Sequence, residues 1–242
     1  MKVAYPITLS IVSHGQATLI RHLLADLAEL SQGNFEVLIT VNVPEDESLY
    51  QSYPFPINII RNKTPKGFGA NHNAAFCQSA GDWFFVVNPD IRIRSLNFDE
   101  LLSPFDNQTV AAVAPIVISN DGKIEDSARR FPTLVRFAKR IIFRDRTADY
   151  EVSTSPYPVD WVAGMFVAFR RKAYQNISGF DEHRFYMYLE DADICRRLTR
   201  EKWKVLVNPN VQVIHMAQRA SRRNLKHMKW HITSAFRFLT GI

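Results

Sequence analysis

Short apolar runs alternate with amphipathic stretches through the first half of the chain, and this pattern predicts strands and helices in turn. Between the runs, Thr18–Leu30 has the spacing of an amphipathic helix, and a second helix is predicted near Asn71–Gln78, after the glycines Gly67 and Gly69. Strands that are buried on both faces and separated by helices indicate an α/β fold with a parallel sheet. The predicted strands are Ile7–Val12, Phe35–Val41, Ile57–Arg61 and Trp83–Val87.

The second half of the chain has a less regular pattern. A tight turn is predicted at Asn120-Asp121-Gly122, and a polar, proline-containing stretch at Arg144–Pro158 is the one candidate linker. We therefore expect one domain over residues 1–217 and a C-terminal helical extension over residues 218–242. The remaining predicted elements are strands at Val110–Ile118, Val159–Arg170, Val205–Val207 and Val211–Ile214, and helices at Leu134–Phe143 and Arg171–Ile177.

Composition and charge narrow the class of protein. The 242 residues are 46% hydrophobic and 22% charged, which is ordinary for a soluble globular chain. No apolar run approaches the roughly 20 residues that span a bilayer, and the first residues lack a secretory pattern, so a cytoplasmic location is expected. Six basic residues and no acidic one lie from Arg219 to Arg237, interleaved with apolar side chains. That stretch could bind anionic lipid or simply form a solvated face. Because no recognisable nucleic-acid-binding motif accompanies the charge, no nucleic-acid partner is expected.

The segment Met187–Leu198 places three carboxylates at a predicted helix start. On a helix, Asp191 shares a face with Ile194, Cys195 and Leu198, so its carboxylate is expected to turn toward the protein. A buried carboxylate needs a partner or a chemical role. The alternative is that all three acids simply stabilise the positive end of the helix dipole. For Glu190 and Asp193 we expect either this role or contact with acceptor hydroxyls.

Two further segments carry candidate ligands. Asn88-Pro89-Asp90 follows the fourth strand, and ligands of open α/β sheets gather beyond the carboxyl ends of strands. The Asp90 carboxylate there suits Mg²⁺ or Mn²⁺ beside a diphosphate, although the same residues are typical of a plain turn. His215 follows an apolar strand and is either structural or a further metal ligand. The glycines of Lys66–Asn73 would let an anion approach a helix start, which by itself is a weak signal.

The order of these segments along the chain is more specific evidence for a protein family than any single segment. The series runs from a strand ending near Ser13 through the Gly-Asn helix start, Asn-Pro-Asp, Trp-Val-Ala-Gly, Gly-Phe-Asp-Glu and Glu-Asp-Ala-Asp to His215. It resembles the inverting GT-A glycosyltransferases of glycosyltransferase family 2, and in detail their rhamnosyltransferase-like branch. The resemblance covers about residues 5–217 and implies a GT-A fold: a mixed, mainly parallel sheet flanked by helices.

The resemblance also implies roles for individual residues. Asp191 matches the catalytic base, and Asp90 matches the carboxylate that holds a divalent metal, Mg²⁺ or Mn²⁺, with His215 beside it. Asn88 stands where the family's metal motif has its first aspartate. The residues that match the nucleotide-binding positions are Ser13, Asn42, Gly67, Asn73 and Asn88, and those on the acceptor side are Trp161, Gly164 and Glu190.

The implied activity is transfer of a sugar from a nucleotide-sugar donor with inversion. The donor is expected to be dTDP-L-rhamnose, with a UDP-hexose as the alternative. The second strand ends in Thr40-Val41-Asn42-Val43-Pro44, where similar proteins usually have Asp-Asn followed by small residues, so the aspartate that contacts the base or ribose is missing. The acceptor is expected to be a glycan, plausibly carried on polyprenyl diphosphate, which would give the basic tail a role on the inner membrane surface. Two rivals fit less well. A sugar nucleotidyltransferase needs a basic loop after the first strand, where this chain has no basic residue before Arg21, and a glycan-binding module would not need Asp90, Asp191 and His215 together.

Overall fold

The computed structural model describes residues 6–30, 34–136, 147–216 and 225–241. Its strands are β1 (Ile7–Ser13), β2 (Phe35–Val41), β3 (Ile57–Arg61), β4 (Trp83–Val87), β5 (Ile91–Arg92), β6 (Val110–Ser119), β7 (Ala128–Arg129), β8 (Tyr157–Pro158), β9 (Trp161–Val162), β10 (Phe166–Arg170) and β11 (Lys204–His215). Its longer helices are α1 (Ala17–Glu29), α2 (Phe68–Gln78), α3 (Phe98–Leu102), α4 (Arg171–Asn176), α5 (Glu190–Arg200) and α6 (Leu225–Thr240).

The main sheet is mixed and has the strand order β3-β2-β1-β4-β10-β6-β11-β5, with β8 paired to β11. The strands from β3 to β4 are parallel, as are β6 and β11. Strand β10 lies between these two parallel groups and is antiparallel to both β4 and β6. Because β10 starts where β4 ends, with Phe166 opposite Val87, the turn before β10 lies at the carboxyl end of β4. The expected α/β fold with a mixed, mainly parallel sheet is confirmed.

Apolar side chains cover both faces of this sheet. Helix α1 packs on one face through Ile20, Leu23, Leu24 and Leu27, which are at most 1% exposed. Helices α2 and α5 contribute Ala75, Ala192 and Cys195, among others, to the core on the opposite face. The strands need apolar residues at successive positions because they are sandwiched between these layers.

Three predicted strands have different boundaries in the structure. Val159–Arg170 is not continuous: β9 ends at Val162, the Met165 N–H donates to Ala163 O at 2.7 Å, and β10 starts one residue later. Conversely, the strands predicted at Val205–Val207 and Val211–Ile214 are one strand, β11, with a register shift between Asn208 and Gln212. The Asn208 amide has partners at that irregularity: it donates to Glu100 O at 2.7 Å and accepts from the Asn210 N–H at 3.2 Å.

Helix boundaries and short elements account for the other differences. Helix α2 begins at Phe68, directly after Gly67 and earlier than expected. The two-residue strands and the five-residue α3 were not predicted, because such short segments carry too little periodicity. Of the helix predicted at Leu134–Phe143, residues 134–136 are helical and residues 137–143 lie outside the described residues.

More of the acidic helix α5 is buried than the positions of its apolar residues predict. Asp193, expected to serve helix polarity or an acceptor, has a side chain only 1% exposed and lies among three arginines. Arg197 Nε is 2.7 Å from it, Arg196 Nη2 3.0 Å and Arg184 Nη1 3.5 Å. The helical projection did not predict this burial, because further segments cover this side of α5; a role in helix polarity stays a prediction. The negative charge of Asp193 is therefore balanced by arginine side chains within the protein.

Helix α6 supplies one of those covering segments. The Arg196 guanidinium lies 3.8 Å from the centre of the Phe238 ring and donates to Phe238 O at 2.8 Å. Phe238 and Ser234 are buried at this contact. The expected C-terminal helical extension is thus present as α6 and packs on α5; residues 217–224 lie outside the described residues. A boundary at residue 217 stays a prediction.

Candidate active site

Asp90 and His215 lie next to each other beyond the carboxyl end of β4. Strand β5 follows Asp90 immediately and pairs with the end of β11, which places Ile91 opposite His215. As a result His215 Nε2 is 3.3 Å from Asp90 Oδ2. The structure therefore brings together the two residues that the sequence proposed as metal ligands, although they are 125 positions apart.

Glu125 is a third member of this group, which the sequence analysis missed. Its Oε2 is 2.8 Å from His215 Nδ1. Burial alone would lower the pKa of His215, but the hydrogen bonds and charges of Asp90 and Glu125 together raise it to about 9. The available signal was the turn at Asn120-Asp121-Gly122, which returns the chain beside β6 so that the Glu125 N–H donates to Val117 O at 2.8 Å.

The Asp90 and His215 side chains fit a divalent cation. Asp90 Oδ1 is buried and has no hydrogen-bond partner among the described residues, a costly state for a carboxylate oxygen unless a ligand satisfies it. Carboxylate and imidazole are suitable ligands for Mn²⁺ or Mg²⁺. In the described part of the chain, no group of three or more His, Cys, Asp or Glu side chains is arranged to hold a metal. A cation here would need further ligands from a diphosphate or water, which Mg²⁺ commonly takes.

Asp191, the predicted base, lies at the start of α5 against the turn between β9 and β10. Its Oδ2 accepts the Gly164 N–H at 3.2 Å and its Oδ1 accepts the Ala192 N–H at 2.8 Å. Burial raises the pKa of Asp191, and these two backbone hydrogen bonds oppose that rise. A partly buried carboxylate with a raised pKa, held by fixed donors, is suited to accepting a proton.

A short backbone path joins Asp191 to the Asp90 group. Gly164, which donates to Asp191, is followed by Met165, whose carbonyl accepts the Asn88 N–H at 2.8 Å. Asp90 is two residues beyond Asn88. The turn at 163–165 therefore contacts both parts of the site, and the interrupted strand is what brings them together. Contact of the Asn88 side chain with a nucleotide stays a prediction.

Glu190 precedes Asp191 and is buried, with 6% of its surface exposed. Its Oε2 has no hydrogen-bond partner within the described ranges. Burial and the adjacent Asp191 charge together raise the pKa of Glu190 to about 8. A carboxyl that is neutral at pH 7 can donate a hydrogen bond, which suits the predicted contact with an acceptor.

Ser13 and Asn42 lie at the carboxyl ends of β1 and β2, as predicted, but their side chains already have protein partners. Ser13 Oγ donates to Glu45 Oε2 at 2.6 Å. The Asn42 amide accepts the Lys66 N–H at 2.8 Å and donates to Lys66 O at 3.0 Å. The Asn42 contacts fix the loop that leads into Gly67, and the Ser13 contact holds the segment after β2. Their direct contact with a nucleotide stays a prediction.

Gly67 lies where the backbone of a second segment passes very closely. A Cβ at this position would overlap the Tyr186 carbonyl oxygen, and the next residue, Phe68, donates its N–H to the same oxygen at 3.0 Å. Only glycine permits that approach. The N-terminus of α2 is therefore joined to the segment that leads into α5.

Asn73 does not join Ser13 and Asn42 in the structure. Its Oδ1 accepts from Tyr174 Oη at 2.8 Å and from the Phe180 N–H at 2.9 Å, while its Nδ2 donates to Phe180 O and Glu182. The described hydrogen bonds thus hold the Tyr174–Glu182 segment against α2. A nucleotide contact at Asn73 stays a prediction.

Trp161, predicted for the acceptor side, is only 5% exposed. Its indole N–H donates to Arg130 O at 3.0 Å, and the Arg129 guanidinium lies 5.4 Å from its ring centre. The charge of Arg129 also lowers the pKa of Asp191, which opposes the effect of burial. Arg129, missed in the sequence, is therefore the cation that Trp161 supports near the base.

Fold and site together define a class of enzyme. GalNAc-T7, solved with UDP, GalNAc and Mn²⁺, matches 90% of this chain with a TM-score of 0.68 at 15% identity, and the chain spans 45% of that protein. This likeness shows the fold, which is that of GT-A glycosyltransferases. Asp90 follows the carboxyl end of β4, the side of an open α/β sheet where ligands gather.

Sequence comparison gives the family. The family described as "Glycosyltransferase like family 2" matches residues 5–231, and the chain belongs to it. The chain is similar to an N-acetylglucosaminyl-diphospho-decaprenol L-rhamnosyltransferase of Mycobacterium tuberculosis, at 28% identity over 94% of this chain and 82% of that protein. It is also similar to rhamnosyltransferase WbbL of Escherichia coli, at 27% identity over 95% of this chain and 90% of that one.

The buried carboxyl of Glu190 predicts a pH-dependent stability. Unfolded, it ionises near its ordinary pKa of 4.5, whereas in the folded protein its pKa is about 8, so the unfolded state binds fewer protons between these values. The free energy of unfolding should therefore fall as pH rises through this window, by about 1 kcal/mol per pH unit for this group. Glu190→Gln should remove that component, which urea unfolding at pH 5.5 and pH 8 measures.

The exposed Glu29→Gln serves as the matched control and should follow the wild-type profile. Equal loss of stability between the two pH values in wild type and Glu190→Gln would contradict the assignment.

Proposed function

We propose that this glycosyltransferase moves L-rhamnose from dTDP-L-rhamnose, with inversion, to a hydroxyl of a glycan carried on polyprenyl diphosphate. The observation that carries the proposal is the placement of Asp191 and the Asp90–His215 pair on either side of one turn, Gly164–Met165. The names of the two rhamnosyltransferase relatives support the donor sugar, and that of the M. tuberculosis protein supports the lipid-linked acceptor.

In this proposal Asp191 is the base. Its carboxylate accepts the proton of the acceptor hydroxyl as that oxygen forms a bond to the anomeric carbon of rhamnose. The bond from that carbon to the diphosphate breaks on the opposite face, so the configuration inverts. The Gly164 and Ala192 N–H groups fix the orientation of the carboxylate, and its raised pKa favours proton uptake.

The diphosphate of the donor is proposed to lie at Asp90 and His215. These residues would hold a divalent cation, Mg²⁺ or Mn²⁺, which when bound supplies charge that stabilises the departing nucleoside diphosphate. Asn42 holds the loop before Gly67 through Lys66, and the positive end of the α2 dipole favours an anionic ligand nearby. Glu190 is proposed to contact an acceptor hydroxyl.

Asp191→Asn tests the base directly. The variant keeps the size of Asp191 and can accept one of its two backbone hydrogen bonds, but it cannot take a proton, so transfer should fall about 10³-fold. The assay follows rhamnose transfer from dTDP-L-rhamnose to an N-acetylglucosaminyl-diphospho-polyprenol, with the anomeric configuration of the product read by NMR. Asp106→Asn, at an exposed aspartate, is the control.

Undiminished transfer by Asp191→Asn would overturn the base assignment, and a product with retained configuration would overturn inversion. UDP-glucose, UDP-galactose and UDP-GlcNAc are tested in parallel. Faster transfer from one of these donors would replace dTDP-L-rhamnose in the proposal.

We further propose that the protein is cytoplasmic and docks on the inner face of the cell membrane through α6. Three apolar side chains lie four residues apart on one face of α6. They are Met228, Ile232 and Phe236, which are 55%, 64% and 58% exposed. The sequence places six basic residues and no acid from Arg219 to Arg237, which favours an anionic surface as the occupant of this stripe. No described helix is long and apolar enough to cross a membrane.

Substituting this stripe should weaken lipid binding. The triple variant Met228→Ser, Ile232→Ser, Phe236→Ser removes the apolar area that would enter the interface, and its partition onto phosphatidylglycerol vesicles should fall at least about tenfold. Cosedimentation measures the partition, with Ile124→Ser, Val152→Ser as the control at exposed apolar residues elsewhere. Unchanged partition, or equal binding of wild type to neutral phosphatidylcholine vesicles, would contradict the docking.

A further inference from the structure

The turn that leads into α5 has an unusual backbone. Tyr188 and Leu189, the two residues before Glu190, both have left-handed conformations, with φ of 74° and 62°. Non-glycine residues rarely adopt this strained conformation, which persists only where the surroundings enforce it. Some contact outside the turn therefore has to hold these residues in place.

Helix α6 makes contacts that can do so. Tyr188 is held by two histidines: its Oη lies 2.7 Å from His227 Nδ1, and its ring stacks on His231 with centres 3.5 Å apart and planes 13° apart. One residue earlier, Met187 O accepts the Ser234 Oγ–H at 2.8 Å. Successive residues of the turn thus have partners on α6.

The same contact continues on both sides of Tyr188. Toward the start of α6, the Trp230 ring lies 4.8 Å from the ring of Tyr186, whose carbonyl receives the Phe68 N–H of α2. Toward its end, Arg237 and Arg184 each donate a side-chain hydrogen bond to the other's carbonyl, at 2.5 and 2.6 Å. Helix α6 is therefore fixed along the whole segment that precedes α5.

The position of the base depends on this segment. Asp191 follows Leu189 by two residues, and Leu189 O accepts the Asp193 N–H at 2.9 Å as the first turn of α5 forms. If Tyr188 and Leu189 relaxed to ordinary backbone angles, the start of α5 would rotate and Asp191 Oδ2 would lose its alignment with the Gly164 N–H. Small displacements of a catalytic group are expensive in rate, with about 10²-fold lost for 1 Å.

We propose that α6 positions the catalytic base, with Tyr188 clamped between His227 and His231 as the connecting side chain. Tyr188, His227 and His231 are positioning residues, because they act through the turn and not on the reacting atoms. The inference rests on the proposed role of Asp191. It gives α6 a task in catalysis that is separate from its exposed apolar stripe.

His231→Ala in the full chain tests the clamp with two readouts. Amide hydrogen exchange of the peptide over residues 186–192 should become at least about tenfold faster, since the stacked partner of Tyr188 is lost. In the transfer assay with dTDP-L-rhamnose and the N-acetylglucosaminyl-diphospho-polyprenol, kcat should fall about tenfold while the KM for the donor stays the same. His231→Phe, which keeps a flat ring, should restore both values.

His183→Ala is the matched control, at an exposed histidine outside the clamp, and should leave both readouts at the wild-type value. Unchanged exchange in His231→Ala would overturn the clamp, as would faster exchange with unchanged kcat. Failure of His231→Phe to restore kcat would also contradict it. If the wild type transfers no sugar, the proposed function fails, whereas the exchange measurement still decides whether α6 holds the turn.

Discussion

The hydrogen bond from the Gly164 backbone to the Asp191 carboxylate is the contact on which the arrangement of the site depends. It requires β9 and β10 to be separated by a turn, which sends the Gly164 N–H toward α5. A side chain in place of Gly164 would be tightly packed, since a Cβ there would lie 3.1 Å from the Phe68 ring. The adjacent Met165 carbonyl accepts the Asn88 N–H before Asp90, so one turn contacts the segments of both the proposed base and the predicted metal ligand.

The three acidic residues in the first turn of α5 show how the environment gives different properties to side chains of the same chemistry. Asp193 is surrounded by arginines and serves as a buried ion-pair centre. Glu190 has no such partner, and burial beside Asp191 keeps it protonated to about pH 8. Asp191 lies between these cases, because backbone donors and the nearby Arg129 oppose the effect of burial on its pKa. Only Asp191 combines an inward position with a raised pKa and fixed donors.

The local pattern of apolar and polar residues was sufficient to predict much of the fold. The strands β2, β3 and β4 were predicted to the residue, because apolar runs bounded by polar turns leave little choice. The helical phase of α5 correctly directed Asp191 inward. It failed for Asp193, whose burial depends on arginines and covering segments that no single-helix projection contains.

The remaining parts of the site depend on pairing between distant segments. Glu125 reaches His215 only because β6 and β11 are neighbours, and Arg129 reaches Asp191 only because β7 pairs with β9. The clamp on Tyr188 likewise joins two segments about 40 residues apart. Such contacts follow from topology, which spacing along the chain does not specify.

Calorimetric titration of dTDP in the presence and absence of Mn²⁺ tests most directly whether Asp90 and Asp191 have separate roles in this site. Asp90 is assigned to the cation and diphosphate, and Asp191 to the acceptor proton. Wild type and Asp191→Asn should therefore bind dTDP with equal affinity and only with Mn²⁺ present, while Asp90→Asn should lose at least about tenfold in that affinity. Binding of dTDP that is indifferent to Mn²⁺ and unchanged in Asp90→Asn would contradict the account.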